Sequence, residues 1–192
     1  MRSPLVIGGL VSSKLRAMPG LLPDIDPDGL LEYSVVYTDR SVNHMSVSFQ
    51  TVMNDISRVL GDVYNADAVA VVPGSGTYGM EAVARQFATG KHVLVVRNGW
   101  FSYRWTQIFE AGNIPASHTV MKARRAEPGS QEPFAPAPID DVVATISKEK
   151  PAVVFAPHVE TSAGMVLPDD YISALADAVH EVGGLLVLDC IA

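Results

Sequence analysis

The sequence predicts an α/β fold, with a mostly parallel sheet covered by helices on both faces. Two observations carry this expectation. Apolar runs of four to six residues alternate along the chain with segments of helical periodicity, and the runs are apolar throughout rather than alternating with polar residues, as strands buried on both faces require. The helical segments also begin and end on residues suited to helix termini.

Residues 1–40 are irregular in pattern. Pro19, Pro23 and Pro27, with Gly20 and Gly29, interrupt any long element, so this stretch reads as an N-terminal arm with one short helix around Gly29–Tyr33. Residues 41–192 read as the regular domain. Phe49, Val52, Met53, Ile56, Val59 and Leu60 recur at helical spacing. Ala68–Val72 is a short apolar run ending at Pro73-Gly74 and is predicted to be a buried strand. Met80, Val83, Ala84 and Phe87 mark the next helix, and His92–Val96 the next strand. Trp100 to Ala111 has Phe101, Trp105 and Ile108 on one side, and Ser117–Met121 reads as a weaker strand. Residues 122–138 are polar and proline-rich, as a loop or flexible insert is. Pro138 then opens a helix carrying Ile139, Val142, Val143 and Ile146. Ala152–Ala156 is a strand. Pro168, Asp169 and Asp170 suit a helix start, with Ile172, Leu175, Ala176 and Val179 as its stripe. Gly183-Gly184 ends that helix, and Leu185–Leu188 is the last strand. There is no internal repeat.

Composition excludes several classes. Apolar residues make up 48% of the 192 residues and charged residues 18%, far from a disordered composition. The net charge is −7, which disfavours nucleic acid as the main partner. No apolar run approaches the roughly 18 residues that span a bilayer, and the N-terminus is too weakly apolar for a signal peptide. A single cysteine, Cys190, excludes an intramolecular disulfide and a multi-cysteine zinc site. The expectation is a cytoplasmic, enzyme-like domain with no metal site and no membrane or nucleic-acid partner.

Ligands of parallel sheets bind beyond the carboxyl ends of the strands, so the chemistry is expected after Val72, Val96, Ala156 and Leu188. Gly74-Ser75-Gly76-Thr77-Tyr78-Gly79 leads into a helix, where unpaired N–H groups and the helix dipole favour a phosphate. A turn that merely reverses the chain is the plain alternative. The same residues also spell GxGxxG. The acidic residue that a dinucleotide ribose requires is replaced by Arg97-Asn98, which leaves open an NADP-binding oxidoreductase with Arg97 on the 2′-phosphate. After Val96, Trp100 and Phe101 are placed to stack on a flat ring, although spacing alone favours Trp100, Phe101 and Trp105 as helix core. After Ala156, His158 reads as a satisfied structural histidine rather than a catalyst, and Glu160, Thr161 and Ser162 either hydrogen-bond a ligand or cap the loop. No order of Ser, His and Asp suggests a hydrolase. Asp189 ends an apolar strand and needs a partner, because burying a lone charge is costly; a cationic ligand atom would serve, and a metal is the alternative, although His158, Glu160 and Asp189 show no diagnostic ligand spacing. Cys190 reads as a buried small residue.

Gly74-Ser75-Gly76-Thr77, His158-Val159-Glu160-Thr161-Ser162-Ala163-Gly164 and Leu185–Asp189 together resemble the pyridoxal-phosphate (PLP) enzymes of fold type I, class V aminotransferases, and among them the alanine–glyoxylate and serine–pyruvate group. The resemblance covers residues 40–192. It implies that Ser75, Gly76 and Thr77 bind the cofactor phosphate. It implies that Phe101 stacks on the pyridine ring, with Trp100 one register away, and that Thr161 contacts the ring or its 3′-oxygen. Asp189 is implied to pair with the pyridine nitrogen. The implied activity moves an amino group from a small alanine- or serine-like amino acid to a 2-oxo acid such as glyoxylate or pyruvate. The implied partner is a second copy in a homodimer, or a complementing C-terminal half.

In that family the Schiff-base lysine lies shortly beyond the aspartate. Here Lys14, Lys91, Lys122, Lys148 and Lys150 all precede Asp189. The sequence therefore reads as the N-terminal part of such an enzyme, without its small domain and inactive alone. A non-catalytic fragment or partner subunit is a third reading.

Overall fold

The computed structural model describes residue 44 and residues 47–127, 129 and 131–191. The short helix expected near Gly29–Tyr33 lies outside them. The chain divides into two compact units, Met1–Val71 and Val72–Ala192.

In the first unit, helix α1 spans Val47–Tyr64. Its apolar spacing forms the expected amphipathic helix, yet none of its residues is buried, and Val52, Ile56 and Val59 stay exposed. The strand expected at Ala68–Val72 does not form. The segment has no strand assignment, and Val71 and Val72 remain half-exposed. An apolar run shows that a segment is suited to burial, but a strand also needs a neighbouring ladder to take its N–H and C=O groups.

The second unit is built on a four-stranded parallel sheet. Helix α2 covers Gly76–Ala88, strand β1 His92–Arg97, helix α3 Trp100–Gly112 and strand β2 Ser117–Lys122. Helix α4 (Ile139–Glu149) leads to strand β3 (Val153–Pro157). A small hairpin follows, from β4 (Val159–Glu160) and β5 (Met165–Val166) around a 3₁₀ turn at Thr161–Ala163. Helix α5 (Asp169–Glu181) and strand β6 (Leu185–Asp189) complete the unit. The strand order is β2-β1-β3-β6, every neighbouring pair parallel.

The period-two geometry of the strands sorts their side chains into two cores. Leu94, Val96, Val154 and Ala156 face α4 and α5, where Val142, Ile146, Leu175 and Val179 are fully buried. Val93, Val95, Val153 and Phe155 face α2 and α3, against Ala84, Ala88, Trp105 and Phe109. Phe155 is clamped by two aromatic rings, 4.5 Å from Trp105 and 5.2 Å from Phe109, centroid to centroid. Each such fully buried side chain contributes about 2 kcal/mol of transfer free energy. Helices therefore cover both faces of the sheet, as expected.

Element boundaries follow local chemistry. Asp140 and Asp141 lie in the first turn of α4, and Asp169 and Asp170 in that of α5, where the helix dipole favours negative charge. Gly183 ends α5 in the left-handed region at φ +76°. The chain then returns so tightly that a Cβ on Gly184 would stand 2.8 Å from the Pro151 carbonyl oxygen. The loop after β2 is held by an isolated antiparallel bridge between Arg124 and Ala135. Strand β6 is an edge of the sheet. Leu186 and Val187 pack into the two cores, whereas Leu185 and Leu188 are exposed. Cys190, expected to be buried, follows that edge and is exposed.

Candidate functional site

The carboxyl ends of β3 and β6 and the amino ends of α2 and α3 meet at one end of the second unit. The most tightly built part is the start of α3. Glu160 is fully buried, and its carboxylate accepts four hydrogen bonds. The backbone N–H of Phe101 donates to Oε1 at 3.0 Å, and that of Ser102 to Oε2 at 2.9 Å. The Ser102 hydroxyl donates at 2.6 Å, and the Ser162 hydroxyl donates as well. The two N–H groups are first-turn donors that α3 itself cannot satisfy, and a carboxylate suits the positive end of that helix. Burial works to raise the Glu160 pKa. The hydrogen bonds from Ser102, Ser162 and the two backbone N–H groups outweigh burial and hold it below the ordinary carboxylate value.

Around this carboxylate the chain is packed to contact. The Ser162 hydroxyl accepts from Trp100 N–H at 2.9 Å, and Ser102 Oγ accepts from the N–H groups of Asn98 and Gly99. A Cβ on Gly99 would stand 2.5 Å from Ser162 Oγ and 2.7 Å from Glu160 Cγ, so only glycine fits there. Of the two roles open to Glu160 and Ser162, capping is the one the geometry fills.

Helix packing separates the three aromatics. Trp105 is buried against Phe155, while Trp100 and Phe101 stay exposed at 59% and 37%. The helix-core reading therefore holds for Trp105 and fails for the other two. They occupy the first turn of α3, where the described residues leave them exposed. His158 contributes its backbone, its N–H donating to the Asp189 carbonyl at 2.8 Å and its carbonyl accepting from Leu167 N–H at 2.9 Å.

Helix α2 begins after Ser75, which is exposed, has extended backbone and makes no side-chain cap bond. The first intrahelical bonds run from Tyr78 and Gly79 to the Ser75 carbonyl, so the N–H groups of Gly76 and Thr77 lie ahead of the helical ladder. Sequence reasoning missed the residue that ties this turn to the rest. Arg104 Nη1 donates to Thr77 Oγ1 at 3.0 Å, and the Arg104 guanidinium lies 5.9 Å from the centre of the Phe101 ring. Its only sequence signal is its place three residues after Phe101, on the same helix face. Gly76 stands where an added Cβ would be 2.8 Å from Ile191 Cδ1, so the α2 turn abuts the segment that follows Asp189.

Asp189 is half-buried at the end of β6, in register with Pro157 of β3. Burial pushes its pKa above the ordinary value, and the nearby Glu160 charge adds to this. The Ile191 backbone N–H and the Arg104 charge pull the other way without prevailing. No ion pair holds Asp189 among the described residues. The Arg104 charge acts on Asp189 without pairing directly with it. Thr77, Phe101 and Asp189 are brought together around Arg104. Ser75 and the exposed Thr161 join the group through their chain neighbours Gly76 and Glu160. Among the described residues, no group of three or more His, Cys, Asp and Glu is placed to hold a metal ion. No described helix is long and apolar enough to cross a membrane.

No family model matches the sequence, and no curated protein matches it. Solved structures do resemble it. Alanine–glyoxylate aminotransferase from Nostoc sp. is 26% identical with a TM-score of 0.60, covering 77% of this chain and 37% of its own. Aspartate aminotransferase from Thermus thermophilus is 27% identical with a TM-score of 0.59, covering 78% and 39%. Ureidoglycine–glyoxylate aminotransferase from Bacillus subtilis shares the fold at 24% identity and a TM-score of 0.62. The chain spans little more than a third of the length of these proteins. The resemblance read in the motifs is thus carried by the fold as well: the chain is similar to the N-terminal part of class V aminotransferases, with the α/β architecture of their large domain.

Proposed function

We propose that this chain is the cofactor-binding part of a PLP-dependent aminotransferase. The observation that carries the proposal is the meeting of an α2 turn whose first N–H groups lie ahead of the helical ladder, an exposed Phe101 ring and an Asp189 carboxylate that forms no ion pair among the described residues. Ser75, Gly76 and Thr77 bind the phosphate of PLP through first-turn N–H groups and hydroxyls. The Arg104 guanidinium, already bonded to Thr77, adds positive charge beside that turn. Phe101 orients the pyridine ring by stacking. Thr161 offers its hydroxyl to the ring's 3′-oxygen. Asp189 holds a proton on the pyridine nitrogen, and in return gains the positive neighbour that favours its ionised form. When bound, PLP supplies the electron sink that amino-group transfer requires.

The amino donor is a small alanine- or serine-like amino acid, and the acceptor a 2-oxo acid such as glyoxylate or pyruvate. The active assembly is a homodimer, or this chain joined to a complementing C-terminal half that carries the Schiff-base lysine. The dinucleotide alternative loses its support, because the Gly74–Gly79 turn is not preceded by a strand of the sheet, which that fingerprint needs.

Titrating the purified chain with PLP, and separately with NADPH, tests the proposal. Saturable PLP binding is expected, weakened about tenfold by Thr77→Val or Asp189→Asn, the loss of one charged or polar contact. Saturable NADPH binding with no PLP effect overturns it.

A further inference from the structure

A second feature at this end of the sheet is lined by none of the residues given a role toward PLP. The last register pair of β1 and β2 sets Arg97 directly beside Lys122. Like charges facing each other across neighbouring strands repel. Neither forms an ion pair among the described residues, while nearby Arg124 is neutralised by Asp141 at 2.6 Å. Arg97 and Lys122 open into a cavity of about 800 Å³, to which Arg125 adds a third cation and Glu132 the single carboxylate. Its walls include Trp100, Tyr103 and Phe134. Two of the cations are held against these rings: the Arg97 guanidinium is 5.0 Å from the Tyr103 centroid, and that of Arg125 is 4.6 Å from the Phe134 centroid. Stacking fixes the guanidinium plane, and Arg97 Nη1 donates to Thr106 Oγ1 at 3.3 Å. Asn98 also lines the cavity. It is only 5% exposed, and its Oδ1 has no hydrogen-bond partner among the described residues. Oδ1 is an acceptor, so it calls for a donor such as a water and not for an anionic head group.

We infer that this cavity binds a small organic oxyanion with a flat body, its carboxylate or phosphate held between Arg97 and Lys122 and its ring against the aromatic wall. Arg125 closes the cationic side. None of the six residues assigned to PLP lines the cavity. The site is therefore distinct from the proposed cofactor site and does not depend on it. The volume exceeds what an inorganic ion requires and falls within the range of small-molecule pockets.

Calorimetric titration of the purified chain with benzoate, phenyl phosphate and neutral benzamide tests this. Saturable binding of benzoate or phenyl phosphate, and none of benzamide, is expected. Whichever of the two binds more tightly identifies the head group as carboxylate or phosphate. Lys122→Met should weaken that anion about tenfold, as loss of a charge-assisted contact does. Arg124→Gln, whose side chain lies outside the cavity, should leave it unchanged, and so should Thr77→Val. Absence of saturable binding by both anions, or equal binding of benzamide, overturns the inference. Equal weakening by Lys122→Met and Arg124→Gln also overturns it, since that reports general surface charge. Loss of anion binding in Thr77→Val would move the anion to the α2 turn and overturn it too. Failure of PLP to bind, with these anion results intact, would leave the inference standing and remove only the cofactor proposal.

Discussion

Glu160 and Asp189 are two carboxylates at the same end of the same sheet, near enough for the charge of one to raise the pKa of the other. Their surroundings differ completely. Glu160 accepts four hydrogen bonds and sits below its ordinary pKa, whereas Asp189 takes one backbone N–H and sits above its own. The difference separates two kinds of polar residue in one site. Glu160 is spent on the fold, since its oxygens are fully used by the start of α3. Asp189 is left in deficit, and a group in deficit is what a ligand can satisfy.

Breaking Glu160 gives the largest expected effect. Glu160→Ala removes the acceptor of two backbone N–H groups and two hydroxyls in a buried place. It should cost about 3 kcal/mol, the penalty for orphaning buried donors that had a charged partner. Denaturant unfolding measures it. PLP binding should weaken in parallel, because Phe101 is set by the same carboxylate. Unchanged stability would show that the α3 terminus finds water instead. Gly99→Ala probes the same knot from the other side. Its Cβ would overlap Ser162 Oγ and Glu160 Cγ, so a loss of about 2 kcal/mol is expected, in the range of overpacking. The same unfolding measurement checks it, and a neutral result would mean that the Glu160 side chain gives way at no cost.

The contrast also explains what the sequence could tell. Strands β1, β2, β3 and β6 and all five helices lie where periodicity placed them, because burial on two faces writes itself into continuous apolar runs. Ala68–Val72 has the same composition and forms no strand, since composition does not reveal whether a pairing partner stands alongside. The need of Asp189 for a cation was legible from a carboxylate closing an apolar strand. The task of Glu160 was not. Its partners, Phe101 and Ser102, lie 59 and 58 residues away, and such distant pairings leave no local signal. Arg104 was hidden for the same reason, being 27 residues from Thr77. Trp100 and Phe101 misled because helical spacing says which side a residue is on, but not whether another element packs against that side at the first turn.

The smallest effect has the opposite sign and is the sharpest test of the comparison. A carboxylate with a depressed folded pKa adds stability above its unfolded pKa and loses it as pH falls through the folded value. Glu160 is such a group, so Glu160→Gln should flatten the acid limb of the stability profile, below the ordinary carboxylate range. Asp189 is raised, so its contribution is present in full below its unfolded pKa and declines as pH rises through the folded one. Asp189→Asn removes that decline. The variant should therefore be slightly more stable than the parent at neutral pH, while binding PLP less well. Melting temperatures of the parent and both variants across the acid-to-neutral range measure the two signs together. If Asp189→Asn instead lowers the neutral melting temperature, a cation already satisfies Asp189, and the asymmetry between the two carboxylates disappears.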